Sequence, residues 1–248
     1  MIDYLYDGTF EGLLTCIYEH YYDEKTSGIF ERDSYQASML QPCRMVGTDD
    51  EKADIVYNAI KEKISAYDLG RVYKVFRSCV HDRETKILNY VRLGFSKGSA
   101  VSMLHGNPIV FDIQSAEKKV NREIDRLNGL IRFTVLGEKV LYSPVEPDND
   151  VIEFLANHFC DRYKNEPFMI HDLKRKKALV YSGNRWYITE FTVEELPPMA
   201  PGEQVYRELW KNYFDTIAIK QRINPRCQKN FMPVRYWQHL TEMQGRRH

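Results

Sequence analysis

The sequence predicts an α+β fold: a mainly antiparallel sheet of about five strands packed by helices, with a helix-rich N-terminal half, a long C-terminal helix and a basic arm. Three observations carry that prediction. Apolar residues recur at helical spacing through much of residues 9–128, as they do when one face of a helix is buried. Short runs at 131–136, 140–145, 167–172, 178–182 and 186–191 are bounded by glycine, asparagine or proline, which marks strands and tight turns. The order hairpin, helix, strand, hairpin then favours antiparallel neighbours with helices on at least one face.

Residues 3–6 read as a short strand ending at Asp7-Gly8, and Thr9 is placed to cap a helix with Phe10, Leu13, Leu14, Ile17, Tyr18 and Tyr21 on one face. Further strands are expected at 28–31 and 44–47, with irregular chain between them. Thr48-Asp49-Asp50-Glu51 has the form of a capping box and opens a helix whose inner face is Ala53, Val56, Tyr57, Ile60 and Ile64. Helices over 69–79 and 83–95 follow. Ser96-Lys97-Gly98-Ser99 is a connector, since it lacks the spaced glycines and Gly-Lys-Ser/Thr ending of a phosphate-binding loop. Asn107-Pro108 opens a long helix that Gly129 ends, with Ile113, Ala116, Val120, Ile124 and Leu127 inside and Glu123 on the flank.

Two hairpins are expected, turning at 137–139 and at Gly183-Asn184. Between them lies a helix over 149–163, with Val151, Ile152, Leu155, Phe159 and Tyr163 as its apolar side, and then the strand 167–172. Pro197-Pro198 and Pro201-Gly202 read as a linker, dividing residues 1–200 from a C-terminal piece, 201–248. In that piece Tyr206, Leu209, Trp210, Tyr213, Phe214 and Ile217 mark a long amphipathic helix.

The 248 residues carry 35 basic and 35 acidic side chains, so net charge gives no reason to call the whole molecule a polyanion binder. The charge is uneven, however. Lys220, Arg222, Arg226, Lys229, Arg235, Arg246 and Arg247 face Glu242 alone, a local excess of six; Gly245 to His248 reads like an appended cloning tail. Five scattered cysteines without a CxxC pair or zinc-finger spacing suit a reducing cytosol and predict no metal site. No run of apolar residues is long enough to predict a membrane span.

On the helical wheel Arg162 points into the apolar sector of its helix, and His158 sits one turn earlier at that sector's edge. Either Arg162 lays its stem along the core and pairs locally, or the two line a cleft in which His158 serves as acid/base and Arg162, Arg132 or Arg175 holds phosphate. Glu123 invites an ion pair with Arg132 or Arg162, in a polar network with Arg126 and Asp172. Lys174, Arg175 and Lys176, with Lys220, Arg222, Arg226, Lys229, Arg235 and Trp237, are candidate nucleic-acid contacts. Trp210, Tyr213, Tyr236 and Trp237 are either stacking platforms beside these cations or core residues pinning the arm. His171 and Asp172 would point to opposite faces of their strand, and no nucleophile elbow, zinc helix or cysteine triplet for radical chemistry is present.

The motifs come in a distinctive order. Glu123, Arg126, Gly129, Arg132 and Phe133 are followed by Glu146-Pro147-Asp148, by His158-Phe159 with Arg162, by Trp210, Tyr213 and Phe214, and by Met232-Pro233 through Tyr236-Trp237 to Leu240 and Glu242. With the opening Tyr4 to Gly12, this order resembles a bacterial family described as DNA metabolism and DNA repair proteins. Its members are similar to the N-terminal part of fusions carrying a uracil-DNA-glycosylase-like domain, and are associated with a radical SAM DNA modification or repair protein. The resemblance implies a cytoplasmic accessory that contacts DNA or such a partner, without a cofactor of its own. It transfers no catalytic residue. Where relatives often carry His two positions after the first Glu, this chain has Asp125.

Overall fold

The first helix begins where the sequence places its cap: the Thr9 hydroxyl accepts from the Gly12 amide at 3.0 Å, while Asp7 accepts from the Thr9 amide and hydroxyl and from the Thr48 hydroxyl. In this computed structural model residues 2–36, 41–137, 140–193 and 196–245 are described. The chain divides into two compact units, Met1–Asn121 and Arg122–His248.

The N-terminal unit holds β1 (Ile2–Tyr6), α1 (Phe10–Tyr22), β2 (Thr26–Glu31), β3 (Cys43–Met45), α2 (Asp50–Lys63), α3 (Ala66–Phe76) and α4 (Arg83–Lys97). The three strands read from sequence assemble into a parallel sheet of order β2-β1-β3. Its core collects Tyr4, Tyr6, Leu13, Ile17, Ile29, Ile60, Ile87 and Val91, all buried. One buried cation, Arg71, is fully matched: it pairs with Asp68 and Glu117 at 2.7 Å each, which a charge in that position requires. The cap of α2 is Asp49, one residue later than the capping-box reading, because its carboxylate is the group that accepts from the Lys52 amide.

The unit boundary falls within α5 (Pro108–Leu130). The C-terminal unit continues with β4 (Thr134–Leu136), β5 (Val140–Val145), α6 (Ile152–Arg162), β6 (Phe168–Asp172), β7 (Lys177–Tyr181), β8 (Trp186–Glu190), α7 (Glu203–Ile217) and α8 (Pro225–Phe231). The five strands lie in the order β4-β5-β6-β7-β8. Consecutive strands pair antiparallel except β5 and β6, which run parallel across the α6 crossover. The sheet is therefore mixed but mainly antiparallel, as predicted. Rings of Phe133, Phe159, Tyr163, Phe168 and Tyr181 pack edge to face or tilted beneath it.

The turn Gly183-Asn184 falls where expected between β7 and β8, with Gly183 at φ +94°. The other hairpin turn includes Glu138 and Lys139, which lie outside the described residues. The proline-rich stretch is paired chain rather than a free linker: Pro198 O accepts from Gly137 N, Ala200 N donates to Val135 O, and Met199 bridges Leu136. Among the described residues no helix is long and apolar enough to cross a membrane.

Candidate nucleic-acid interface

Glu123 sits in the second half of α5 and is 2% exposed. Its carboxylate accepts from the amides of Asp148 and Asn149, from the Asn149 side chain and from the Tyr236 hydroxyl, at 2.6 to 2.9 Å, and pairs with Arg235 at 3.1 Å. Burial alone would raise its pKa, but the bonds from Tyr236, Asn149 and Asp148 outweigh that and hold it below the usual glutamate range. The partner is thus Arg235, neither Arg132 nor Arg162. The wheel puts Glu123 on the flank of its helix; the turn at 146–149 closes over that flank and buries it.

The same turn collects the other ends of the C-terminal segment. Arg235 also pairs with Asp148, and Glu146 accepts from Gln238 and lies 2.9 Å from His239 Nε2. Arg175 donates to the carbonyls of Pro147 and Asp148 and pairs with Asp172 at 2.9 Å; Lys177 pairs with Asp150. Asp172 also accepts from the amides of Lys174 and Arg175, which makes it the anchor of the turn after β6. Arg175 and Arg235 are therefore spoken for by acids and carbonyls. Arg126 is held apart from this hub and donates to Asn230 O.

A second hub is built on Glu242, 1% exposed. One oxygen accepts from Arg132 Nε and Nη2 at 3.2 and 2.8 Å; the other accepts from Trp210 Nε1 at 2.9 Å. The Arg132 guanidinium lies 5.5 Å from the centre of the Trp210 ring. Both side chains line a cleft of about 670 Å³, with Phe133, Arg162, Tyr163, Glu203, Tyr206, Arg207 and Thr241 among its other walls. Arg162 reaches it as a solvent-exposed residue whose guanidinium lies 5.8 Å from the Tyr163 ring. Arg207 donates to Gln244 at 2.6 Å. Among the described residues, three guanidinium groups thus share one concavity with Glu203 as the one acid in its lining.

His158 is not part of that constellation. It is exposed on α6, edge-on to Phe159, and absent from the walls of the cleft, so of the two alternatives read from the sequence, a cleft lined by His158 and Arg162 together is not formed. Arg162 is the last residue of α6, and its long stem lets the charge escape the apolar sector to solvent. His171 is buried and bonded to Tyr142 at 3.0 Å; burial lowers its pKa and pushes the Tyr142 hydroxyl up to about 12.

The stacking candidates separate into two groups. Tyr236 and Trp237 are buried, and Trp237 donates to Met232 O within a small cluster with Leu240 and Met243. They are core residues, and Trp237 cannot stack on a base. Tyr206 (71% exposed), Tyr213, Phe231 (75%) and, less so, Trp210 present rings to solvent from α7 and α8. Exposed on the same stretch are Arg222, Arg226 and Lys229; Lys174 and Lys176 are exposed after β6. The side chain of Lys220 and residues 246–248 lie outside the described residues.

The sequence marks Tyr163 and Tyr206 only as part of the apolar faces of their helices, and does not single out Arg207. Tyr206 and Arg207 precede Trp210 by one helical turn, four and three residues earlier, and that spacing was the available signal. In the N-terminal unit a concavity of about 540 Å³ is lined by Phe30, Tyr35, His81 and Arg83 but also by Asp3, Glu31, Asp82 and Glu84, a poor match for an anion. Among the described residues no group of three or more His, Cys, Asp or Glu could hold a metal ion.

A family described as a domain of unknown function, DUF4130, matches residues 81–242 of the chain. No curated protein matches it.

Proposed function

We propose, from the premise that the chain belongs to the domain-of-unknown-function family DUF4130, that it is a nucleic-acid-binding accessory of DNA metabolism. It would work beside an enzyme of the radical SAM or uracil-DNA-glycosylase kind. The observation that carries the reading is the stretch from α7 through α8, which exposes the rings of Tyr206, Tyr213 and Phe231 and the cations Arg222, Arg226 and Lys229 along one run of chain. Exposed rings and cations on one run of chain suit an unpaired strand: phosphates meet the charges, and each base stacked on a ring contributes about 1 to 3 kcal/mol. The choice of DNA repair as the setting rests on the resemblance of the motif order.

A second reading, an enzyme acting on a nucleobase or nucleotide, draws on the arginine-lined cleft. It needs an acid/base other than His158, which is not among the lining residues.

The test is a titration of the protein against single-stranded and duplex oligonucleotides over a range of salt. Binding to the single strand is expected to be tighter and to weaken steeply with salt. Replacing Arg222, Arg226 and Lys229 together by Glu should weaken it at least about tenfold, from the loss of phosphate contacts. Binding that ignores salt, or is absent together with any association with a radical SAM partner, refutes the reading.

A further inference from the structure

We infer that the cleft of the C-terminal unit receives one unstacked nucleotide, its phosphate toward Arg162 and its base among Trp210, Tyr163 and Tyr206. The inference rests on the nucleic-acid reading for the choice of ligand, but the site itself is argued from its walls. A volume of about 670 Å³ falls within the range of small-molecule sites, roughly 300 to 1,000 Å³. The walls combine two chemistries that few ligands satisfy together. Arg162 and Arg207 call for an anion, Arg132 being already held by Glu242 and by the carbonyls of Gly129 and Ile131, and planar guanidinium groups match phosphate oxygens in pairs. Phe133, Tyr163, Tyr206 and Trp210 call for a flat ring. Inorganic phosphate would leave the rings unused, and an uncharged aromatic would leave the cations unused.

The site is also held in shape before anything enters. Glu242 is buried behind Arg132 and Trp210, and its two oxygens are consumed by them. It is a positioning residue: it fixes the indole edge and the guanidinium plane while neutralising one of the three cations. Arg162, which is exposed, lies over Tyr163 and makes no ion pair among the described residues, supplies charge free to meet a phosphate. A nucleotide swung out of a strand would be read here by stacking and by its phosphate, with little discrimination between bases.

The experiment measures saturable binding of a deoxynucleoside monophosphate, followed by quenching of tryptophan fluorescence, with deoxyribose 5-phosphate and the unphosphorylated nucleoside as competitors. The monophosphate is expected to saturate, with each competitor at least about tenfold weaker, since each lacks one of the two matched groups. Arg162→Ala, a change at an exposed position, should weaken binding at least about tenfold, and Trp210→Phe should remove most of the quenching while circular dichroism stays that of the parent. Equal binding of the sugar phosphate, no effect of Arg162→Ala, or no saturation overturns the inference. Salt-sensitive binding of a single strand without any binding of the monophosphate overturns it and leaves the arm reading intact. Loss of strand binding alone would bear on that reading and not on the cleft.

Discussion

Glu123 and Glu242 are both buried, Glu123 beneath the turn at Asp148 and Asn149 and Tyr236, and Glu242 carried by the returning C-terminal segment against Arg132 and Trp210. Glu123 satisfies five donors with two oxygens. Replacing it by Gln presents an amide nitrogen to some of those donors, and we expect a loss of about 2 to 3 kcal/mol of stability from the unmatched groups. The loss depends on pH. Because the Glu123 carboxyl titrates lower when folded than when unfolded, its contribution is full above the ordinary glutamate range and is lost as pH falls through the folded-state value. Urea unfolding of the parent and Glu123→Gln should therefore differ most at neutral pH and converge in acid; a gap that persists in strong acid would refute this. At this scale the sequence was informative about which residues matter and misleading about their partners. Glu123, Arg132, Asp148, Trp210, Arg235 and Glu242 all stand in the motifs, yet which acid takes which arginine depends on the return of the last residues, more than a hundred positions away.

Elements defined by local chemistry were legible and those defined by distant pairing were not. Thr9, Asp49 and the Gly183 turn act within a few residues of themselves, so α1, α2 and the β7–β8 hairpin lie close to their expected positions. The parallel pairings of β1 with β2 and β3, and of β5 with β6, join segments separated by whole helices, and nothing in a strand's own residues names such a partner. The start of α1 offers a direct test of local packing. A Cβ at Gly12 would lie 2.4 Å from Asp7 Oδ1 and 2.8 Å from Thr48 Oγ1, so Gly12→Ala must displace the carboxylate that holds Thr9 and Thr48. We expect a cost of about 1 to 3 kcal/mol, as for other overpacked sites, seen as a lower thermal midpoint. An unchanged midpoint would mean that the Asp7 contacts do not contribute to holding the helix start.

For the molecule as a whole, equal numbers of acids and bases mean that attraction to DNA must be local. Of the cations predicted for that role, Arg175 and Arg235 are held by acids and carbonyls. Lys174, Lys176, Arg222, Arg226 and Lys229 are exposed. If those five meet a single strand, the slope of log affinity against log salt should be no steeper than about −3.5, taking roughly −0.7 for each phosphate neutralised. A markedly steeper slope would show that paired cations are released or that others take part. The cleft could not be read from sequence, since its walls come from the end of α5 and the chain that follows it into β4, the end of α6, the first half of α7 and Thr241. No single segment carries the whole wall.

One carboxylate, that of Glu242, holds a cation and an indole side by side. A visitor to that corner meets furniture already arranged, so little rearrangement has to precede capture. Arrival should then be fast and nearly the same for every visitor of like charge, and preference among them should be written in how long each one stays.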